Sequence, residues 1–151
     1  MGRKMTNMEF QELVSRGIHA VNQGNTMMAL MHLENAAKKG GSPALRSYLG
    51  YCLAIERQQY KQAIKMCREA AQLEPNNSQF WLNLGRTCLL AGQKRLAIKA
   101  FRRGLKVNCN QHIVEELKNL GLRKTPVFSS LDRTHFLNRH VGRVLDRFSL
   151  R

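Results

Sequence analysis

Residues 81–104 read WLNLGRTCLLAGQKRLAIKAFRRG. Trp81, Leu84 and Gly85 share one side of a helix, Ala97 and Phe101 share one side of a second, and Gly104 follows one turn later. The spacing predicts two helices joined by a tight turn around Ala91-Gly92-Gln93, lying back to back as an antiparallel pair. Gly85 and Ala97 are small where the two axes approach, and Trp81, Leu84 and Phe101 fill the space beside the contact. One such pair cannot bury its own apolar face, so the decisive question is whether it recurs.

It does, at a fixed step. Ala97 is preceded by Ala63 and Ala29, Phe101 by Cys67 and Leu33, and Gly104 by Ala70 and Ala36, each interval being 34 residues. Gly85 is preceded by Gly50 and Gly17 at 35 and 33 residues, and Leu49-Gly50 repeats Leu84-Gly85. This period and residue pattern resembles the tetratricopeptide repeat family over about residues 8–110. The third copy carries Trp81, Leu84, Gly85, Ala97 and Phe101 at family positions, and the second carries Leu49, Gly50, Ala63, Ala70 and Pro75. Cys88 and Leu53 stand where the family favours tyrosine, Cys109 replaces the terminal proline, and Arg16 takes a leucine position of the first copy.

The expected fold is therefore all-α, a superhelical solenoid of three helix pairs over 8–42, 43–77 and 78–110, after a tail at 1–7. Helices are predicted at about 8–22, 26–39, 44–57, 60–73, 79–91 and 94–107. Ser42-Pro43 supplies a cap and a first-turn proline, and Pro75-Asn76-Asn77 stops one helix and caps the next. Ile113, Val114, Leu117 and Leu120 share one face, as in a closing helix over 111–121, and Gly121 and Pro126 break the pattern into a linker at 122–130. Residues 131–151 return to helical periodicity, with Phe136, Leu137, Val141, Val144, Leu145 and Phe148 forming a stripe. Arg139, Arg143, Arg147 and Arg151 recur every fourth residue as a separate basic ridge.

Composition narrows the function. Hydrophobic residues make up 43% of the 151, with no apolar run long enough to cross a bilayer. The start lacks the apolar region of a secretory signal, although Met1-Gly2 fits a loose acylation pattern. The four cysteines form no Cys-x-x-Cys pair and are expected to be reduced, small apolar residues of a cytoplasmic protein. No nucleophile, base and orienting group can be assembled, so no catalytic, cofactor or metal site is expected. The net charge of +15 is uneven: residues 78–110 hold 7 basic and no acidic side chains, while 1–42 and 43–77 each hold 5 and 3.

The resemblance implies a non-catalytic adaptor whose concave wall comes mainly from the first helix of each pair, and which binds a peptide or amphipathic helix of a partner protein. Transferred position by position, the groove candidates are Val14, Ile18, Tyr51, Leu82, Asn83, Arg86 and Leu90, with Arg86 and Asn83 setting register. Val14, Ile18 and Tyr48 occupy positions that would have to be polar to clamp a C-terminal carboxylate, which disfavours a chaperone-tail receptor. The alternative is an accessory protein that binds nucleic acid or an anionic membrane through its basic half, using Lys99, Arg102, Arg103, Lys106, Arg139, Arg143 and Arg147. The C-terminal stripe has three destinations: the chain's own repeats, a partner or second copy, or a lipid surface.

Overall fold

Seven helices run in order through the computed structural model, which describes residues 7–121: α1 (Asn7–Asn22), α2 (Thr26–Ala37), α3 (Pro43–Arg57), α4 (Tyr60–Leu73), α5 (Ser78–Leu90), α6 (Lys94–Val107) and α7 (Gln111–Asn119). No strand occurs among the described residues. By internal contacts the chain divides into Met1–Leu117 and Lys118–Arg151, and the three helix pairs all belong to the first unit. The tail at 1–6, the linker and the basic stripe with Arg139, Arg143, Arg147 and Arg151 lie outside the described residues.

Local chemistry sets the helix limits. The Ser42 side chain accepts from the Leu45 N–H at 3.1 Å while Pro43 opens α3, which starts the helix one residue earlier than the periodicity suggested. Asn77 accepts from the Gln79 N–H at 3.2 Å and starts α5, and Asn110 accepts from His112 and Ile113 to start α7. Helix α2 ends at Ala37, two residues short of expectation, because Lys39 and Gly40 both donate back to the Ala36 carbonyl and close the turn there.

The turns inside the pairs show the repeat in backbone form. Gly24 and Gly92 both adopt positive φ, at 77° and 72°, where each first helix ends. The residue midway between them, 34 from each, is Gln58, which takes the same left-handed conformation at φ 55° without glycine's freedom.

Within each pair the helices are held close by the expected small residues. A Cβ built on Gly85 would lie 2.1 Å from the Phe101 ring, one on Gly50 would lie 2.9 Å from both the Ala63 carbonyl and the Cys67 sulfur, and one on Gly17 would lie 2.5 Å from Leu33 Cγ. Leu33, Cys67 and Phe101, each fully buried, are thus three solutions to the same packing position. Gly104 of α6 has a similar task towards both α5 and α7, since an added Cβ there would meet Ile113 of α7 at 2.4 Å and Trp81 of α5 at 3.0 Å. Trp81 itself is anchored by its indole N–H, which donates to the Pro75 carbonyl at 2.8 Å.

Three of the four cysteines are buried and reduced, and the fourth, Cys109, is exposed rather than part of the core. The reason is its place in the connection between α6 and α7, outside any helix face that packs. Arg16, at the leucine position of the first repeat, is also exposed and pairs with Glu12 one turn away at 2.5 Å. The first repeat therefore has a more polar inner helix than the others.

Candidate functional site

The packing of the helices decides which of them can line a concave wall. Helix α3 packs against α5, and α1 touches α3, whereas no comparable packing joins α2 to α4 or α4 to α6. First helices lying side by side while second helices splay apart make an array that curves with the first helices inside. The inner wall therefore belongs to α1, α3 and α5.

On that wall the expected residues separate into two groups. Leu82 and Asn83 have no exposed surface, and Val14 is only 4% exposed. Asn83 is tied across the repeats: its Nδ2 donates to Ser47 Oγ of α3 at 3.0 Å, and its Oδ1 accepts from Gln79 at 3.2 Å. These bonds satisfy a fully buried amide, so Asn83 holds α5 to α3 instead of offering its amide to a ligand. Ile18, Tyr51 and Arg86 are partly exposed, and Leu90 is exposed, at 44%.

Arg86 has a partner of its own. Its Nε lies 2.6 Å from a carboxylate oxygen of Glu116 on α7, in a half-buried ion pair. Tyr51 sits close to both charges; burial raises the pKa of its phenol, the Arg86 cation lowers it, and the Glu116 anion raises it again. The guanidinium expected to set a ligand's register is thus neutralised within the chain. The accessible apolar residues of the first helices are Ile18 and Val21 of α1, Tyr51 and Ile55 of α3, and Leu89 and Leu90 of α5, with Gln11, Asn22 and Gln79 as accessible polar neighbours.

The basic residues fall elsewhere. Lys99, Arg102, Arg103 and Lys106 are exposed on α6, and none forms an ion pair among the described residues. Arg103 stands over the Trp81 ring, 5.3 Å from its centroid, so its guanidinium is a packing element of the third pair as well as a surface charge. Elsewhere the arginines join neighbouring helices: Arg57 to Glu34 at 2.7 Å, and Arg46 to Glu69 at 3.5 Å.

Burial pushes the Cys52 and Cys67 thiols up to about 12, which keeps them protonated and unreactive at neutral pH. Among the described residues no group of three His, Cys, Asp or Glu side chains is placed to hold a metal ion. No described helix is long and apolar enough to cross a membrane.

Sequence reasoning missed three contacts made by the first helices: Arg86 to Glu116 of α7, Asn83 to Ser47, and Glu56, which accepts from the Thr26 hydroxyl of α2. A signal existed for the second, because Ser47 and Asn83 both lie on first helices 36 residues apart, one repeat plus about half a turn. The first depended on where α7 docks.

Comparison with known proteins agrees with this geometry. Two family models, each described as tetratricopeptide repeat, match residues 14–77 and 54–118. A search of curated proteins gives no match. Among solved structures, the second TPR of Spaghetti (RPAP3), bound to HSP90 peptide SRMEEVD, is similar with a TM-score of 0.57 and 18% identity, covering 70% of this chain and 92% of that one. The Sgt2 TPR domain from Aspergillus fumigatus is similar with a TM-score of 0.57 and 15% identity, over 92% of this chain and 99% of that one. At those identities the likeness is one of fold. With two models of one family spanning the three helix pairs, the chain belongs to the tetratricopeptide repeat family.

Proposed function

We propose that this protein is a non-catalytic adaptor that binds an amphipathic helix or extended peptide of a partner along the inner faces of α1, α3 and α5. The observation that carries the reading is that each first helix leaves apolar side chains accessible, with Ile18, Tyr51 and Leu90 the principal contacts. An apolar groove gains by covering a partner's apolar stripe, and the polar groups that would demand a specific acidic ligand are already bonded to one another.

The RPAP3 domain was solved with an acidic peptide ending in Glu-Glu-Val-Asp. Here Arg86 is paired with Glu116, Asn83 is buried, and Val14, Ile18 and Tyr48 are apolar. An acidic tail would have to break the Arg86 pair to gain a cation, so the preferred ligand is apolar.

Panning a random-peptide library on the full chain tests this. Selected peptides should share apolar residues at i, i+3 or i+4, and i+7, and should lose at least about tenfold in affinity against the Ile18→Asp/Leu90→Asp variant, the cost of placing unpaired charge in an apolar contact. Selection of acidic C-terminal peptides, or equal binding to the variant, would contradict the proposal.

A further inference from the structure

The outer face of the array carries a pattern that the inner wall does not explain. On α6, Arg95, Lys99, Arg102 and Lys106 follow one another at steps of 4, 3 and 4 residues, which keeps all four on one line along the helix. One repeat earlier, 34 residues back in each case, α4 has Lys61, Lys65 and Arg68 at the same three leading positions. All seven side chains are exposed, and none pairs with a carboxylate among the described residues. The first repeat breaks the pattern: Met27, Met31 and Glu34 stand at the corresponding places of α2.

Carboxylates are kept away from these rows. Helix α6 has none, and the single one of α4, Glu69, is drawn towards Arg46 of α3 at 3.5 Å. The sequence has no acid at all between Glu74 and Glu115. Each row places a cation at every turn, roughly 5–6 Å apart, and the α6 row runs for about 16 Å. Because α4 and α6 do not pack on each other, the two rows stand apart on the convex side.

We propose that the outer faces of α4 and α6 together form a docking surface for the phosphate backbone of a nucleic acid. The scarcity of apolar anchors beside seven cations separates this partner from a protein. A stable protein interface needs a dehydrated apolar or aromatic centre, and lysine is depleted there. Leu73 lies about a quarter turn from the α4 row, and Leu96, three residues before Lys99, is a single exposed leucine at the edge of the α6 row. Phosphate groups, by contrast, are bound through charge and counterion release alone and need no anchor. A lipid surface would also reward apolar insertion, which the rows do not offer. Binding is independent of sequence, because nothing on the rows is shaped to read a base edge.

The test uses the full chain and fluorescence anisotropy with a labelled mixed-sequence RNA of about 20 nucleotides, a duplex of equal length, and vesicles containing phosphatidylserine. The unmodified chain should bind the nucleic acids at about 50 mM salt and weaken steeply towards 200 mM. Lys65→Glu/Lys99→Glu/Arg102→Glu should weaken binding at least about tenfold and flatten the single-strand salt slope by about 2, since each neutralised phosphate accounts for roughly 0.7 of that slope. A control, Arg16→Glu/Lys38→Glu/Lys39→Glu, makes the same change in net charge in the first repeat and should lower affinity less than about threefold. Circular dichroism establishes that both variants are folded. Equal losses in the two variants, no loss in the first, or binding to vesicles but neither nucleic acid would overturn the proposal.

Discussion

Replacing Gly85 by alanine sets two effects of opposite sign against each other. Helix propensity alone favours alanine by about 1 kcal/mol in a helix interior. The structure places the new methyl 2.1 Å from Phe101 Cε1 and 2.5 Å from Cδ1, where carbon atoms normally rest at about 3.5–4.0 Å. Phe101 is fully buried, so its ring cannot withdraw without moving the α5–α6 contact. Overpacking of this kind costs up to about 3 kcal/mol, leaving a net loss of about 2 kcal/mol. Urea denaturation followed by circular dichroism should show a lower midpoint, and the melting temperature should fall by about 2–4 °C per kcal/mol for a chain of this size. Phe101→Ala opens a cavity at a cost of about 3–5 kcal/mol, and in that background Gly85→Ala should become neutral or stabilising. A stabilising effect of Gly85→Ala in the unmodified chain, or simple additivity of the two changes, would refute the close-approach argument.

Other consequences can be checked directly. Gln58→Gly relieves a left-handed residue at the turn where the other repeats use glycine, and should stabilise the chain by about 0.5–1 kcal/mol in thermal unfolding, whereas Gln58→Val should destabilise it. Ser47→Ala leaves the buried Asn83 amide without its acceptor and should cost about 1–3 kcal/mol in denaturant titration. Ellman's reagent at pH 8 should modify Cys109 promptly and leave Cys52, Cys67 and Cys88 unmodified until denaturant is added. Burial raises the folded-state pKa of Cys52 and Cys67 from 9.0 to about 12, so the unfolded chain ionises first; their contribution to stability is complete below pH 9 and lost as pH rises towards 12. Unfolding midpoints across that window should fall less steeply in Cys52→Ala/Cys67→Ala, measured against its own value at pH 8.

The fold was legible because its determinants repeat. Gly17, Gly50 and Gly85 each face a buried residue of the partner helix, so the spacing of small residues predicted the contacts that the structure contains. Caps at Ser42 and Asn77 were equally readable, since capping is a local interaction between neighbours in sequence. The inner wall was less so. Leu82 and Ile18 both looked like groove residues, yet one is buried and the other partly exposed. That difference depends on how closely successive first helices pack, which is not a property of any one helix. The Arg86–Glu116 pair depended on the docking of α7, which lies beyond the last full repeat. The convex rows were half visible: the α6 cations stood out by charge, whereas Lys61, Lys65 and Arg68 became part of the same surface only through the 34-residue equivalence and shared exposure.

If a partner's apolar segment lies along α1, α3 and α5, it must come within reach of Tyr51 and stay clear of the outer face of α4. Photo-crosslinking of a library-selected peptide, with benzoylphenylalanine in place of Tyr51 and, separately, in place of Lys65, distinguishes the two faces. A crosslink from position 51 and none from position 65 is the expected result. A crosslink from position 65 alone would place the peptide on the convex face and contradict the inner-wall assignment.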